Sequence, residues 1–257
     1  MNPPPLADTP LAGAGSELAG APLRIHLPPK TPPPGVRMDA VTAGYGEGPD
    51  IIAGATLELA AGATAIVHGG AGAGKSTLIH LLRGVLAPRE GRVVLLGSDV
   101  ATLPARVRAA LKRRIGAILQ TPLLRDDASI LENVVAPLTL TTARAVISDA
   151  MRADVADMLA YLGLTSMAHH RAGDLSYVQR RLTAIARAFV ARPDIVLADE
   201  PLAGLGADAA GRVLRLLSEM ARQRATVVIT THAPDMFVTL PAARWRLDGG
   251  VLGAASP

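Results

Sequence analysis

The chain has 257 residues, 49% of them hydrophobic but only 2% aromatic, with no cysteine and a formal net charge of +4. Its length suits one sizeable domain or two small ones, and no apolar run approaches the roughly 18 residues of a membrane span. Without cysteine there are no disulfides or thiolate metal sites, the N-terminus lacks the basic flank and apolar core of a signal peptide, and so mild a charge predicts no nucleic-acid partner.

Residues 1 to about 35 hold ten of the 20 prolines, with many Ala and Gly. That composition buries too little apolar surface to offset chain entropy, so a disordered tail is expected there. From Val36 onward short apolar runs read as strands: VRMDAVTA, ATLEL, ATAIVH, RVVLLG, IGAILQ, DIVLAD and ATVVIT. They alternate with helical patterns: KSTLIHLLRG, ARAVISDAMRADVADMLAYLGL, QRRLTAIARAFVA and GADAAGRVLRLLSEMARQ. Several runs are almost continuously apolar, as strands buried on both faces of a parallel sheet are. Strand–helix alternation predicts an α/β layered fold with a mostly parallel sheet. From about Thr121 the pattern is helical without an obvious strand. A helical subdomain over about 121–180 is therefore expected, inserted in a domain covering 36–257.

HGGAGAGKST, His68 to Thr77, has the pattern G-x-x-x-x-G-K-[ST] from Gly69 to Ser76. It follows the strand ATAIVH and opens the helix KSTLIHLLRG, the context the motif needs. Gly69, Gly70, Ala71, Gly72, Ala73 and Gly74 let backbone N–H groups turn inward around a β-phosphate, and Lys75, Ser76 and Thr77 begin the helix whose N-terminus favours anions. Lys75 supplies a cation for the β- and γ-phosphates, and the Ser76 hydroxyl is placed for Mg²⁺. Downstream, IVLADEP puts Asp199 at the end of a buried strand, where it can hold Mg²⁺ through water. Glu200 follows as a candidate base for the attacking water. Together these predict a P-loop nucleotide hydrolase that uses Mg²⁺.

The adjacent Asp199–Glu200 pair and the motif order resemble the ATP-binding-cassette ATPases over about residues 36–250. In that resemblance Tyr45 corresponds to the aromatic stacking on adenine, with an ordinary packed aromatic as the alternative. Gln120, ending the strand IGAILQ, corresponds to the loop glutamine that touches Mg²⁺ and senses the γ-phosphate, or else is a solvated strand end. Leu175, Ser176, Tyr177, Val178 and Gln179 occupy the place of the signature LSGGQ, which meets the partner chain's ATP. Ser176 and Gln179 also have capping-box spacing. LAGLG, Leu202 to Gly206, stands where a loop Asp is usual, and His232 corresponds to the γ-phosphate histidine. The family implies an antiparallel β part N-terminal to the parallel core, a homodimer of ATPase chains, and docking of Thr121–Leu138 on a membrane subunit. His169 and His170 read as loop residues. The cluster Arg106, Arg108, Lys112, Arg113 and Arg114 reads as a solvated helix face, with contact to acidic headgroups as the other reading.

KRRIGAILQTPLLRDDASILENVVAPL and LADEPLAGLG are similar to the branch of the cell-division ATPase FtsE, which shares most of these residues with lipoprotein-release and macrolide-efflux ATPases. That branch implies an FtsX-like integral membrane partner, a place on the cytoplasmic face of the inner membrane, and an indirect link to cell-wall hydrolases. The alternatives are an ATPase driving lipoprotein release or macrolide-type efflux, a soluble DNA-repair or translation cassette, and a regulatory cassette that scarcely hydrolyses ATP. Tyr177 and Val178 replace the signature glycines and Gly206 the usual Asp. Slowed turnover is expected, and glycine restored at 177 and 178 should raise it.

Overall fold

The computed structural model describes residues 35–139 and 147–255. The expected N-terminal tail lies, apart from Gly35, outside the described residues, as does the start of the helical pattern at Ala143.

Among the described residues ten strands form two sheets. The first is antiparallel, in the order β2-β1-β4-β5: β1 is Val36–Ala43, β2 Ile52–Leu59, β4 Glu90–Leu95 and β5 Ser98–Asp99. Along β1 the buried residues run Val36, Met38, then Val41 and Ala43, so the period of two slips by one. The slip falls on Ala40, whose φ of 44° lies in a register shift that re-aims the strand toward the core.

The second sheet has the order β10-β9-β3-β8-β7-β6. Its members β3 (Thr64–His68), β6 (Ile115–Ile118), β7 (Ile195–Asp199), β8 (Thr226–Thr231) and β9 (Ala243–Asp248) are mutually parallel, and β10 (Val251–Ala254) closes the edge antiparallel. β7 and β8 are buried at every position, which is why they read as continuous apolar runs. Alternate residues serve two cores. Ile66, Val196, Ala198, Val227 and Ile229 face one, built with α3 (Ile130–Thr139), α4 (Asp149–Leu162), α5 (Tyr177–Val190) and α6 (Ala207–Arg222). Ala65, Val67, Ile195, Leu197 and Val228 face the other, against α1 (Lys75–Leu82) and the antiparallel sheet. The remaining helix, α2 (Ala105–Lys112), buries only Leu111 and carries Arg106, Arg108 and Lys112 of the basic cluster; Arg113 caps its end and Arg114, beyond it, pairs with Asp194.

The expected elements are present, with two differences and three added strands, the short β5 among them. IGAILQ is a strand only to Ile118, so Gln120 lies in the bend beyond it. The helix expected through DAMRADVADMLAYL begins at Asp149, where Ser148 accepts a hydrogen bond from Met151 N–H and caps it. β9 and β10 were not expected, because ARWRLD and VLGA are mostly exposed and lack an apolar run. Between β6 and β7 the chain runs through α3, α4 and α5.

Candidate functional site

The loop between β3 and α1 needs glycine for space. Gly74 has φ 101°, and a Cβ there would come within 3.0 Å of Ile52 Cδ1; one on Gly69 would come within 2.2 Å of the Leu247 carbonyl oxygen. Gly74 offers no side-chain cap to α1, and the first turn holds no acidic residue. The helix therefore keeps its partial positive charge at the loop. Lys75 Nζ donates to the carbonyls of Gly69 at 2.9 Å and Gly70 at 2.8 Å.

The acidic strand end lies against this loop. Asp199 Oδ2 accepts a hydrogen bond from Ser76 Oγ at 2.7 Å, and its Oδ1 one from Thr230 Oγ1 at 2.6 Å. Glu200 Oε1 lies 2.8 Å from His232 Nδ1, and its Oε2 accepts from Thr231 Oγ1 at 3.1 Å. The cause is the parallel register of β7 with β8, which sets Asp199 opposite Thr230. Glu200 has φ 49°, the left-handed region that a non-glycine residue keeps only when its surroundings hold it there. Ser76 and Asp199 offer adjacent hard oxygen donors. Among the described residues, here or elsewhere, no group of three or more His, Cys, Asp or Glu side chains gathers to hold a metal by themselves. The donor set fits Mg²⁺, which keeps waters and phosphate oxygens and takes few protein ligands.

Tyr45 lies in the loop between β1 and β2, 46% exposed, with its hydroxyl 2.7 Å from His80 Nδ1 on α1. Arg89 steadies the same loop, donating to the carbonyls of Gly46 and Gly48 and to Asp50, each at 2.7 Å. An open pocket of about 230 Å³ lies beside the phosphate loop, lined by His68, Gly69, Gly70, His232, Arg246, Leu247 and Asp248.

The segment Leu175–Gln179 begins α5. Ser176 caps it, accepting from Gln179 N–H at 3.4 Å, while Ser176 N–H donates to Gln179 Oε1 at 2.8 Å. Leu175 is buried, Val178 packs partly against the helical core, and Tyr177 is half exposed. None of the segment's hydrogen bonds among the described residues reaches Gly69–Thr77. One chain thus joins Ser76 to Asp199 and Glu200 to His232, while the Leu175–Gln179 segment spends its hydrogen bonds within α5 and on Met167. Gln120 is tied in through its carbonyl, which accepts from Arg181 Nη1 at 2.7 Å.

Sequence reading passed over Thr230, Thr231, His80, Arg89 and Arg181. The dipeptide Thr230-Thr231 before His232 was the available signal, since hydroxyls at the end of a buried strand need acceptors. Nothing in the one-dimensional pattern sets Arg181 apart from the neighbouring Arg180.

A family model described as ABC transporter matches residues 52–203. The chain is 35% identical over 199 residues to the ABC transporter ATP-binding protein YtrE of Bacillus subtilis (strain 168), covering 77% of this chain and 84% of that protein. It is 34% identical over 222 residues to the lipoprotein-releasing system ATP-binding protein LolD of Chromohalobacter salexigens, covering 84% of this chain and 92% of that one. The dimeric structure of the ABC transporter cassette MJ0796 superposes with a TM-score of 0.79 at 26% identity, over 86% of this chain and 99% of that one. A dimeric post-hydrolysis state of the same cassette, bound to ADP and Pi, gives a TM-score of 0.78.

Proposed function

The chain belongs to the ABC transporter family, and from that premise we propose that it is the ATPase subunit of a membrane complex, working as a pair of copies beneath an integral membrane subunit. It is an ATPase, converting ATP and water to ADP and phosphate. The observation that carries the site is the convergence of two pairs, Ser76 with Asp199 and Glu200 with His232, on a loop that already supplies Lys75 and helix amides.

Lys75 and the N–H groups opening α1 hold the β- and γ-phosphates, and Tyr45 takes the adenine. Ser76 and, through water, Asp199 would hold Mg²⁺, with Gln120 beside it, and the ion would supply positive charge to the phosphates. Glu200, steadied by Thr231 and His232, accepts a hydrogen bond from the attacking water and takes its proton as the water's oxygen attacks the γ-phosphorus, and His232 lies at the γ-phosphate side. Leu175, Ser176, Tyr177, Val178 and Gln179 of one copy face the nucleotide of the other, with Ser176 and the α5 N-terminus as donors. Thr121–Leu138, directly after Gln120, receives a cytoplasmic segment of the membrane subunit. The inserted helices, about 121–180, form the module that carries both surfaces. Among the described residues no helix is long and apolar enough to cross a membrane, so attachment runs through that partner.

For the cargo, the relatives favour transport. LolD proteins of several genera, among them Bordetella pertussis, match at 34–36% identity, and we place the chain with the lipoprotein-release and macrolide-efflux ATPases. The cell-division reading, with an FtsX-like partner linked indirectly to cell-wall hydrolases, rests on Lys112–Leu138 and Leu197–Gly206 and is the second reading. Deleting the gene separates them. Lipoproteins stranded in the inner membrane support transport, whereas filaments with normal lipoprotein sorting overturn it in favour of division.

A further inference from the structure

Arg181, in the second turn of α5, is the bulkiest of the fully buried side chains, at 1% exposure. Its Nη1 donates to the Gln120 carbonyl at 2.7 Å and its Nη2 to the Glu200 carbonyl at 2.6 Å. Among the described residues it has no carboxylate partner, and its Nε has no hydrogen-bond partner at all. Withdrawing a guanidinium from water without a counter-charge is costly. What this one does in return is join two main-chain points.

Those points sit just beyond β6 and β7, two strands that pair directly. One is Gln120, the other is Glu200 in its left-handed conformation. The Glu200 carbonyl takes two donors, Arg181 Nη2 and Ala203 N–H at 3.1 Å. A strained peptide persists only where its neighbours over-determine it; Arg181 and Ala203 hold the Glu200 carbonyl, and the Glu200 N–H donates to the Thr230 carbonyl at 2.9 Å.

Tyr177 covers the clamp. It lies one helical turn before Arg181, so their side chains meet. The ring centroid is 5.7 Å from Arg181 Cζ, and the hydroxyl accepts from Nη1 at 3.4 Å. The ring edge fits against Gly204, where φ is 71° and a Cβ would come within 2.7 Å of Tyr177 Cε1. The residue standing in the place of the first signature glycine is thus packed between α5 and the Leu202–Gly206 loop.

We infer that Arg181 is a positioning residue for ATP hydrolysis, with Tyr177 as its cover: it ties the start of α5 to the main chain of Gln120 and Glu200. The inference rests on the proposed roles of Gln120 and Glu200. It reverses one expectation from the signature comparison, because glycine at 177 would uncover Arg181 instead of freeing the site.

The test uses the full-length chain, with ATP dissociation constants, kcat and thermal midpoint measured for the parent, Lys75→Ala, Arg181→Met, Arg181→Lys, Tyr177→Gly and Tyr177→Phe. Arg181→Met should hold ATP within a few-fold of the parent while kcat falls roughly 10–100-fold, the scale of a displaced catalytic group. Arg181→Lys should recover part of the loss, having the charge but not the two-pronged geometry. Tyr177→Gly should lower kcat, and Tyr177→Phe should lower it less, because the ring still covers the guanidinium. Parental kcat in Arg181→Met, or a kcat loss matched by equal losses in affinity and thermal midpoint, overturns the inference. Should Arg181→Met fail to fold, the half-exposed Tyr177 variants decide alone, and a rise in kcat for Tyr177→Gly overturns it. Lys75→Ala keeps the two levels apart. If it binds ATP normally the ATP-site reading itself fails, whereas if it loses ATP while the other variants stay silent, only the clamp fails.

Discussion

His232 Nδ1 lies 2.8 Å from Glu200 Oε1, although the two residues are separated by a whole helix and strand. Thr231 holds the other carboxylate oxygen at 3.1 Å. Both oxygens are therefore oriented before any water arrives, and the carboxylate is 10% exposed against 64% for the histidine ring. Glu200→Gln keeps the shape and the contact to His232 but not the base. Turnover should fall about 10²–10⁴-fold, the usual contribution of a positioned base, with ATP affinity preserved. Phosphate release and nucleotide titration on the same preparation check this, and parental turnover would remove Glu200 from its role.

Tyr45 is held from below by His80, with hydroxyl and ring nitrogen 2.7 Å apart. Tyr45→Ala should weaken ATP binding by about 1–3 kcal/mol, the scale of a base stacked on an aromatic ring. Tyr45→Phe keeps the ring and releases only the tether, so its loss should be smaller. Equal affinities for Tyr45→Ala and the parent would return Tyr45 to an ordinary surface aromatic.

Gly206 begins α6 with φ −67° and ψ 161°, no side-chain cap, and no atom within 4 Å of where its Cβ would be. That extended backbone suits any residue. Gly206→Asp restores an acceptor for the free N–H groups of the first turn and a negative charge at the positive end of the helix. The gain should be a few tenths of a kcal/mol to about 1 kcal/mol, or roughly 1–3 °C in thermal midpoint for a chain of this size. A lower midpoint would mean that the loop resists the side chain.

Glu132 is the acidic partner in a capping box at the start of α3. Its Oε2 accepts from Ser129 N–H at 2.7 Å and Ser129 Oγ at 2.8 Å. These bonds, the backbone one foremost, hold its carboxyl below the ordinary value of 4.5. A depressed folded value favours the charged form. The contribution is therefore complete above pH 4.5 and fades as pH falls through the lower folded value. Denaturant unfolding of the parent and Glu132→Gln should show the parent more stable at neutral pH and the gap closing below that point. A gap independent of pH would mean that charge at this cap does not matter.

Local patterns made much of the molecule readable. The phosphate loop is continuous in sequence, so Gly69–Thr77 could be read as strand, loop and helix from residue types alone. β7 and β8 showed as apolar runs because both faces are buried. Ser176 and Gln179 showed as a cap because three residues separate them. β9 and the edge strand β10 did not show, since strands with so few buried positions carry no apolar run.

By itself the sequence determined the P-loop class, the strand–helix order and the acidic pair at 199–200, because each rests on neighbouring residues and on periodicity. The tertiary structure decided what lies beside them. Parallel register set Thr230 against Asp199, 31 positions away, and burial of α5 carried Arg181 to the carbonyls of Gln120 and Glu200, 61 and 19 positions away. Such contacts depend on how layers stack, and one-dimensional spacing holds no record of that. Tyr177 shows the difference most plainly: in the sequence it is a missing glycine, and in the fold it is the cover over a buried charge.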